Sequence, residues 1–182
     1  MALLIVDMIA DYEFNDGENI FDGALSAAKN IATLKMHAKT ADMPVIYVND
    51  NYGIWRNSFE ATLAAAAVSE RGRQIVQILR PEKDDYHVLK PQRSGFFATP
   101  LDVLLTSLDV SRLIITGITA DICVLFTAHD AYMRGYQISV PADCTAAVNE
   151  HALTEALEML GRTVDADTTS SGEIELTRAQ AG

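Results

Sequence analysis

The hydrophobic positions fall into two periods that alternate along the chain. Five short runs, 2–6, 45–48, 86–89, 113–116 and 136–140, are rich in apolar and β-branched residues. Runs of this length without a polar face read as strands buried on both sides. Between them lie stretches with helical spacing. Residues 24–41 carry Leu25, Ala28, Ile31, Ala32 and Met36 on one face. Residues 61–79 are Ala-rich, with Gly72 weakening the middle. Thr99-Pro100 reads as a cap followed by Pro at the first helical position, starting a helix to about Leu108. From Ile122, the residues Val124, Leu125, Phe126 and Ala128 continue a helical face up to Gly135, and 149–160 form a last helix ended by Gly161.

This β-α alternation predicts a three-layer α-β-α fold with a mostly parallel, doubly wound, Rossmann-like sheet. Asn15, Asp16 and Gly17 mark a turn inside the polar stretch 11–23, and Gly117 breaks the fourth strand. No internal repeat and no long linker divides the sequence, so residues 1–182 are expected to form a single domain. The polar tail from about residue 166, with DTTSSGE and then TRAQAG, is expected to be loosely held.

Composition narrows the partners. The net charge is −11, from 25 acidic and 14 basic residues. Nucleic acid and anionic membrane both call for a basic face, so neither is expected. Two cysteines, Cys123 and Cys144, are too few for a disulfide scaffold. Met1 leads straight into ALLIV with no basic region, and no apolar run reaches the length of a membrane span, so the expectation is cytoplasmic.

In a doubly wound sheet, ligands bind at the carboxyl ends of the strands. Those ends carry Asp7, then Asn49-Asp50-Asn51, then Lys90, then Cys123, then Asp143-Cys144. Cys123 falls in the first turn of a helix after a buried strand, with Thr119 and Asp121 as candidate caps. The positive helix end there is expected to lower the thiol pKa. An acid, an amine and a thiol at three strand ends are the parts of nucleophilic catalysis: a thiolate attacks, a carboxylate moves the proton, an ammonium balances charge. Plainer readings stand beside each: a buried cysteine as inert core, Asp7 as a turn residue, Lys90 as a solvated lysine. No sequence spacing by itself establishes contact among the three. His87 reads as a structural histidine, and His37, His129 and His151 lie on helices without metal-ligand spacing. No CxxC, HExxH or Gly-rich phosphate loop is present, so no cofactor is expected.

Three segments carry a family resemblance. LLIVDMIADY (3–12), LKPQRSGFFATPLDVLL (89–105) and TGITADICVLFTAHDAYMRGY (116–136) resemble, in this order, the acid, lysine and nucleophile segments of the isochorismatase-like cysteine hydrolases. The likeness runs from the first strand to about Leu160. It implies Asp7 as general acid/base, Lys90 as charge partner and Cys123 as nucleophile. It implies a cis peptide at Ile118-Thr119 and an oxyanion site built from the backbone N–H groups of Thr119 and Cys123. It further implies assembly into a dimer or tetramer.

The sequence departs from the family pattern in two places. Ile9 stands where the first motif often has Gln. Nicotinamidase members bind metal through Asp-x-His after the second strand, where this chain reads Asn49-Asp50-Asn51 with no His before His87, so no metal is expected. Isochorismatases that cleave a vinyl ether lack the cysteine, so Cys123 points to the amidase branch and to small amide, ureido or carbamoyl substrates. Tyr12, Trp55 and Phe126 are candidate pocket walls, with Asp50 and Arg56 as orienting groups. Three alternatives remain beside this reading: an isochorismatase-type hydrolase of another small metabolite, a non-catalytic binding or assembly module on the same fold, and a thiol redox protein.

Overall fold

The computed structural model describes residues 1–176. Among the described residues, six parallel strands, β1 (Ala2–Val6), β2 (Val45–Asp50), β3 (Tyr86–Lys90), β4 (Arg112–Ile118), β5 (Gln137–Ser139) and β6 (Thr145–Ala146), form the sheet. The order is β3-β2-β1-β4-β5, with β6 paired to the end of β4. The described α-helices that flank it are α1 (Gly17–Thr40), α2 (Phe59–Ala66), α3 (Glu70–Ile78), α4 (Leu101–Ser107), α5 (Leu125–Met133) and α6 (Glu150–Val164).

Every residue of β1 is buried because alternate side chains enter two different cores. Leu3 and Ile5, with Val45 and Tyr47 of β2, pack against α1, α2 and α3. Leu4 and Val6, with Ile46 and Val48, pack against α4, α5 and α6. The chain therefore has the expected three layers. It winds outward through β2 and β3, then returns to the other side of β1 for β4, which places the topological switch between the carboxyl ends of β1 and β4.

Several boundaries differ from the expected ones. The helix expected over 24–41 begins at Gly17, which packs so tightly that a Cβ there would lie 2.3 Å from the Tyr12 carbonyl oxygen. The Ala-rich stretch is two helices, and the break falls at 67–69, where Ser69 caps α3. Gly72 lies inside α3, because only a residue without Cβ fits against the carbonyl oxygens of Ala66 and Ala10. Gly117 continues β4, and Gly161 lies inside α6.

The tail corrects a further expectation. Asp167 bridges Ser139, Asp143 accepts hydrogen bonds from Ser171 N and Oγ at 2.7 Å, and Ile174 is buried. Residues 166–176 are thus fastened to β5 and the loop before β6, while TRAQAG (177–182) lies outside the described residues. No described helix is long and apolar enough to cross a membrane.

Candidate active site

Asp7, Lys90 and Cys123 come from three separate strand ends and meet at the switch point. Asp7 leaves β1 with φ 50, in the left-handed region where Asp is among the tolerated residues. Its backbone N–H donates to Val48 O at 2.9 Å, and its Oδ1 accepts the Asp50 N–H at 2.7 Å. Lys90 ends β3 on the same sheet face as Val88, and its side chain is wholly buried. Its Nζ reaches Asp7 Oδ2 at 2.7 Å, Cys123 Sγ at 3.5 Å and Asp50 Oδ2 at 3.5 Å. One cation therefore serves two carboxylates and the sulfur.

Cys123 sits in a π-helical turn, Ala120–Val124, that runs directly into α5. The helix starts two residues earlier than Ile122, and its first turn is wider than an α turn. The N–H groups of Ile122 and Val124 both donate to Thr119 O, at 3.2 and 3.1 Å, on either side of Cys123. Thr119 occupies the cap position without a side-chain cap bond. Its Oγ1 and Asp121 Oδ1 are buried without hydrogen-bond partners among the described residues. The Ile118-Thr119 peptide is cis. Gly117 allows β4 to close on β1, since a Cβ there would lie 2.0 Å from Val6 O.

The electrostatics reverse one expectation. Burial pushes the Cys123 thiol up to about 12, the Asp7 carboxylate adds to the rise, and the Lys90 ammonium only partly offsets it. The expected lowering is thus opposed by desolvation of the sulfur and by the neighbouring carboxylate. Asp7 is also raised, by burial first, against the pull of Lys90 and of hydrogen bonds from Cys123, Lys90 and Asp50. Burial works against the Lys90 charge, yet Asp7, Cys123 and Asp50 more than compensate, so its pKa rises. Burial thus raises both the thiol and the carboxyl, and the Lys90 ammonium is held charged between them.

The other expected site residues are dispersed. Asp50 joins the cluster. Tyr12 is fully buried, its ring packs on Phe14 and Phe21, and its hydroxyl donates to Met8 O at 3.1 Å. Trp55 is 80 % exposed, and Arg56 is exposed beside it. Phe126 lines a groove with Leu125, Met133 and Met159 on the outer side of α5, and Arg93 lies 5.7 Å over its ring. Ile9 is buried, and its carbonyl accepts the Asn49 amide at 2.9 Å.

Two contributors were missed from sequence. Tyr52 follows the Asx turn in which Asp50 Oδ1 accepts its N–H at 2.6 Å. Although 53 % of Tyr52 is exposed, desolvation at its hydroxyl and then Asp7, Asp50, Asp11 and Cys123 raise that group's pKa, so the polar end of the ring borders the cluster. The run of turn formers after β2 was the available signal. Thr127 Oγ1 accepts the Gly95 N–H at 2.9 Å and ties the loop after Lys90 to α5.

His87, with Leu89, lies on the sheet face opposite Lys90 and stacks on Phe59 at 5.0 Å. Among the described residues no group of three or more His, Cys, Asp or Glu is placed to hold an ion.

A sequence model of the isochorismatase domain matches residues 1–171. The chain belongs to the isochorismatase family. It is 41% identical over 173 residues to the isochorismatase family protein YaaI of Bacillus subtilis (strain 168), covering 95% of both chains. It is 40% identical over 170 residues to the ureidoacrylate amidohydrolase RutB of Klebsiella pneumoniae (strain 342), covering 79% of this chain and 72% of RutB. Among solved structures, N-carbamoylsarcosine amidase from Thermoplasma acidophilum superposes with a TM-score of 0.73 at 27% identity, covering 96% and 98% of the two chains. The three-layer architecture is that of this isochorismatase-family neighbour.

Proposed function

We propose that this isochorismatase-family protein is a cysteine amidohydrolase that cleaves a C–N bond in a small amide, ureido or carbamoyl compound. The carrying observation is the position of Lys90 Nζ, 2.7 Å from Asp7 Oδ2 and 3.5 Å from Cys123 Sγ. The amidohydrolase names of RutB and N-carbamoylsarcosine amidase support the same reaction class.

Each residue then has one task. Asp7 takes the thiol proton as Cys123 Sγ attacks the carbonyl carbon. With the thiol pKa raised by burial, this transfer accompanies attack. The N–H groups of Thr119 and Cys123 receive the oxyanion. Lys90 keeps charge balanced as the negative charge moves from carboxylate to sulfur. Asp7 next gives its proton to the leaving nitrogen, which departs and leaves a thioester on Cys123. Asp7 then removes a proton from water as the water attacks the thioester. The acid leaves, and Sγ regains a proton.

The test is ammonia release by the purified full chain across a panel of primary amides and ureido compounds. Activity that falls by about 10³-fold or more in Cys123→Ala supports the reading. Wild-type rates in that variant on any hydrolysed compound overturn it.

A further inference from the structure

Asp50 is the one charged group of the cluster that the mechanism above leaves without a task. It ends β2 and is the register partner of Lys90 on β3, on the same sheet face. Its two oxygens are used differently. Oδ1 accepts the Tyr52 N–H at 2.6 Å, which fixes the carboxylate plane. Among the described residues Oδ2 meets only the Lys90 ammonium, at 3.5 Å, and that ammonium is already engaged by Asp7 at 2.7 Å. Asp50 is also the most open of the three: 36 % of its side chain is exposed, against 15 % for Asp7 and none for Lys90. The centre therefore carries two carboxylates for one cation, and the less paired carboxylate faces outward.

The distances suit a substrate nitrogen. The two 3.5 Å legs through Lys90 Nζ put Oδ2 within about 7 Å of Cys123 Sγ. A carbonyl carbon poised for attack lies roughly 3–3.5 Å from the sulfur. A C–N bond of about 1.33 Å and an N–H···O contact of about 2.9 Å span what is left. An ionised carboxylate accepts and never donates, so its complement is an N–H or a cation.

We propose that Asp50 is a specificity residue. Its outward, weakly paired Oδ2 receives an N–H of the substrate's amide or ureido group, so the site favours neutral or cationic amides and ureides over those bearing a carboxylate on that side. This inference rests on the cysteine-amidohydrolase reading and narrows its substrate class. The competing arrangement is an anionic substrate held by Arg93, whose guanidinium lies over Phe126.

The experiment compares wild type with Asp50→Asn, which keeps the size of the side chain and an acceptor for the Tyr52 N–H. Two readouts are used. The first is the ratio of kcat/KM for a neutral ureide, N-ethylurea, to that for N-carbamoylglycine. The second is the ratio of Cys123 alkylation rates by neutral iodoacetamide and anionic iodoacetate, mapped by peptide mass. In wild type both ratios favour the neutral probe, the alkylation ratio by about tenfold or more relative to glutathione. In Asp50→Asn the alkylation ratio falls about fivefold or more, and the kcat/KM ratio moves the same way through KM. A ratio unchanged by the substitution, or a wild-type preference for iodoacetate, overturns the proposal. The alkylation ratio reads Asp50 whether or not either ureide turns over. Failure of the hydrolase reading shows separately, as ammonia release that survives Cys123→Ala.

Discussion

The Lys90 ammonium lies 2.7 Å from Asp7 Oδ2, and the lysine side chain is wholly buried while the carboxylate is mostly so. Neither charge has a comparable substitute partner, since Asp50 stands 3.5 Å from Lys90 and is more solvated. Breaking such a pair from one side leaves a desolvated charge behind. Lys90→Met is expected to destabilise the fold by about 3 kcal/mol and to remove activity. Urea denaturation and ammonia release check the two effects. A variant as stable as wild type would show that the pair is not desolvated as described.

The raised Cys123 thiol gives a pH signature. Its pKa moves from 9.0 to about 12, through burial first and Asp7 second. The folded state therefore favours the protonated thiol more strongly than the unfolded chain does. The resulting stability is fully present below pH 9.0 and is lost as pH rises toward about 12. Wild type is expected to lose stability relative to Cys123→Ala across that window, with Cys144 and Lys90 common to both. In parallel, iodoacetamide labelling of Cys123 keeps rising above pH 9. A labelling plateau near neutrality would instead reveal a standing thiolate.

Asp7 sets the acid side of the activity profile. Burial raises its pKa above 3.8, against Lys90 and its hydrogen bonds. The reaction uses the ionised carboxylate, so kcat/KM is expected to climb as pH rises through this elevated value. Asp7→Asn should lower kcat by roughly 10²–10⁴-fold and abolish that limb. An acid limb at the ordinary carboxylate position would place the titrating group elsewhere.

The strands were legible because burial on both faces leaves a continuous apolar run, as in Ala2–Val6, which matches its expected bounds. The helices were less so. By sequence Gly72 weakens a helix and Gly117 breaks a strand, yet both sit inside elements, because their role is close approach to a neighbouring backbone that the local sequence does not reveal. At the candidate site the three strand-end residues were legible as residue types, from topology and family likeness. Their contact was not, since Asp7 and Cys123 lie over a hundred positions apart. The burial that raises the thiol pKa is invisible to a helix-start argument, which sees the dipole but not the desolvation. Tyr52 was missed because its approach depends on the Asp50 turn.

Gly117 joins the fold to the site. It pairs with Val6 at the switch point with φ 114, and an added Cβ would lie 2.0 Å from Val6 O. Backbone cannot yield as a flexible side chain can. Gly117→Ala is expected to destabilise the protein by about 2 kcal/mol or more and to shift the strand ends that carry Asp7 and Cys123. Denaturation midpoints and kcat measured on folded protein check this. Unchanged stability would mean that β1 and β4 can separate freely at this point.

The amino ends of the strands hold a second buried ion pair that the chemistry does not use. Lys35 Nζ lies 2.6 Å from Asp85 Oδ2, with 7 % and 1 % of the two side chains exposed. Lys35 also donates to Tyr47 Oη at 3.2 Å and Arg80 O at 3.1 Å, and the Tyr47 hydroxyl donates to Leu79 O at 2.9 Å. Lys39 pairs with Asp85 as well. This network fastens α1 to the segment entering β3, at the edge of the sheet away from Cys123. Lys35→Met leaves Asp85 with the Glu82 N–H and the partly exposed Lys39 as its remaining partners, so it is expected to cost about 3 kcal/mol of stability. The double substitution Lys35→Met with Asp85→Leu should recover much of that loss, because no buried charge is then left over. Because the pair is remote from the centre, kcat per folded molecule should stay at the wild-type value in both variants. A marked fall in kcat with stability intact would mean that the two ends of the sheet are coupled, and that Lys35 positions β3 and thereby Lys90.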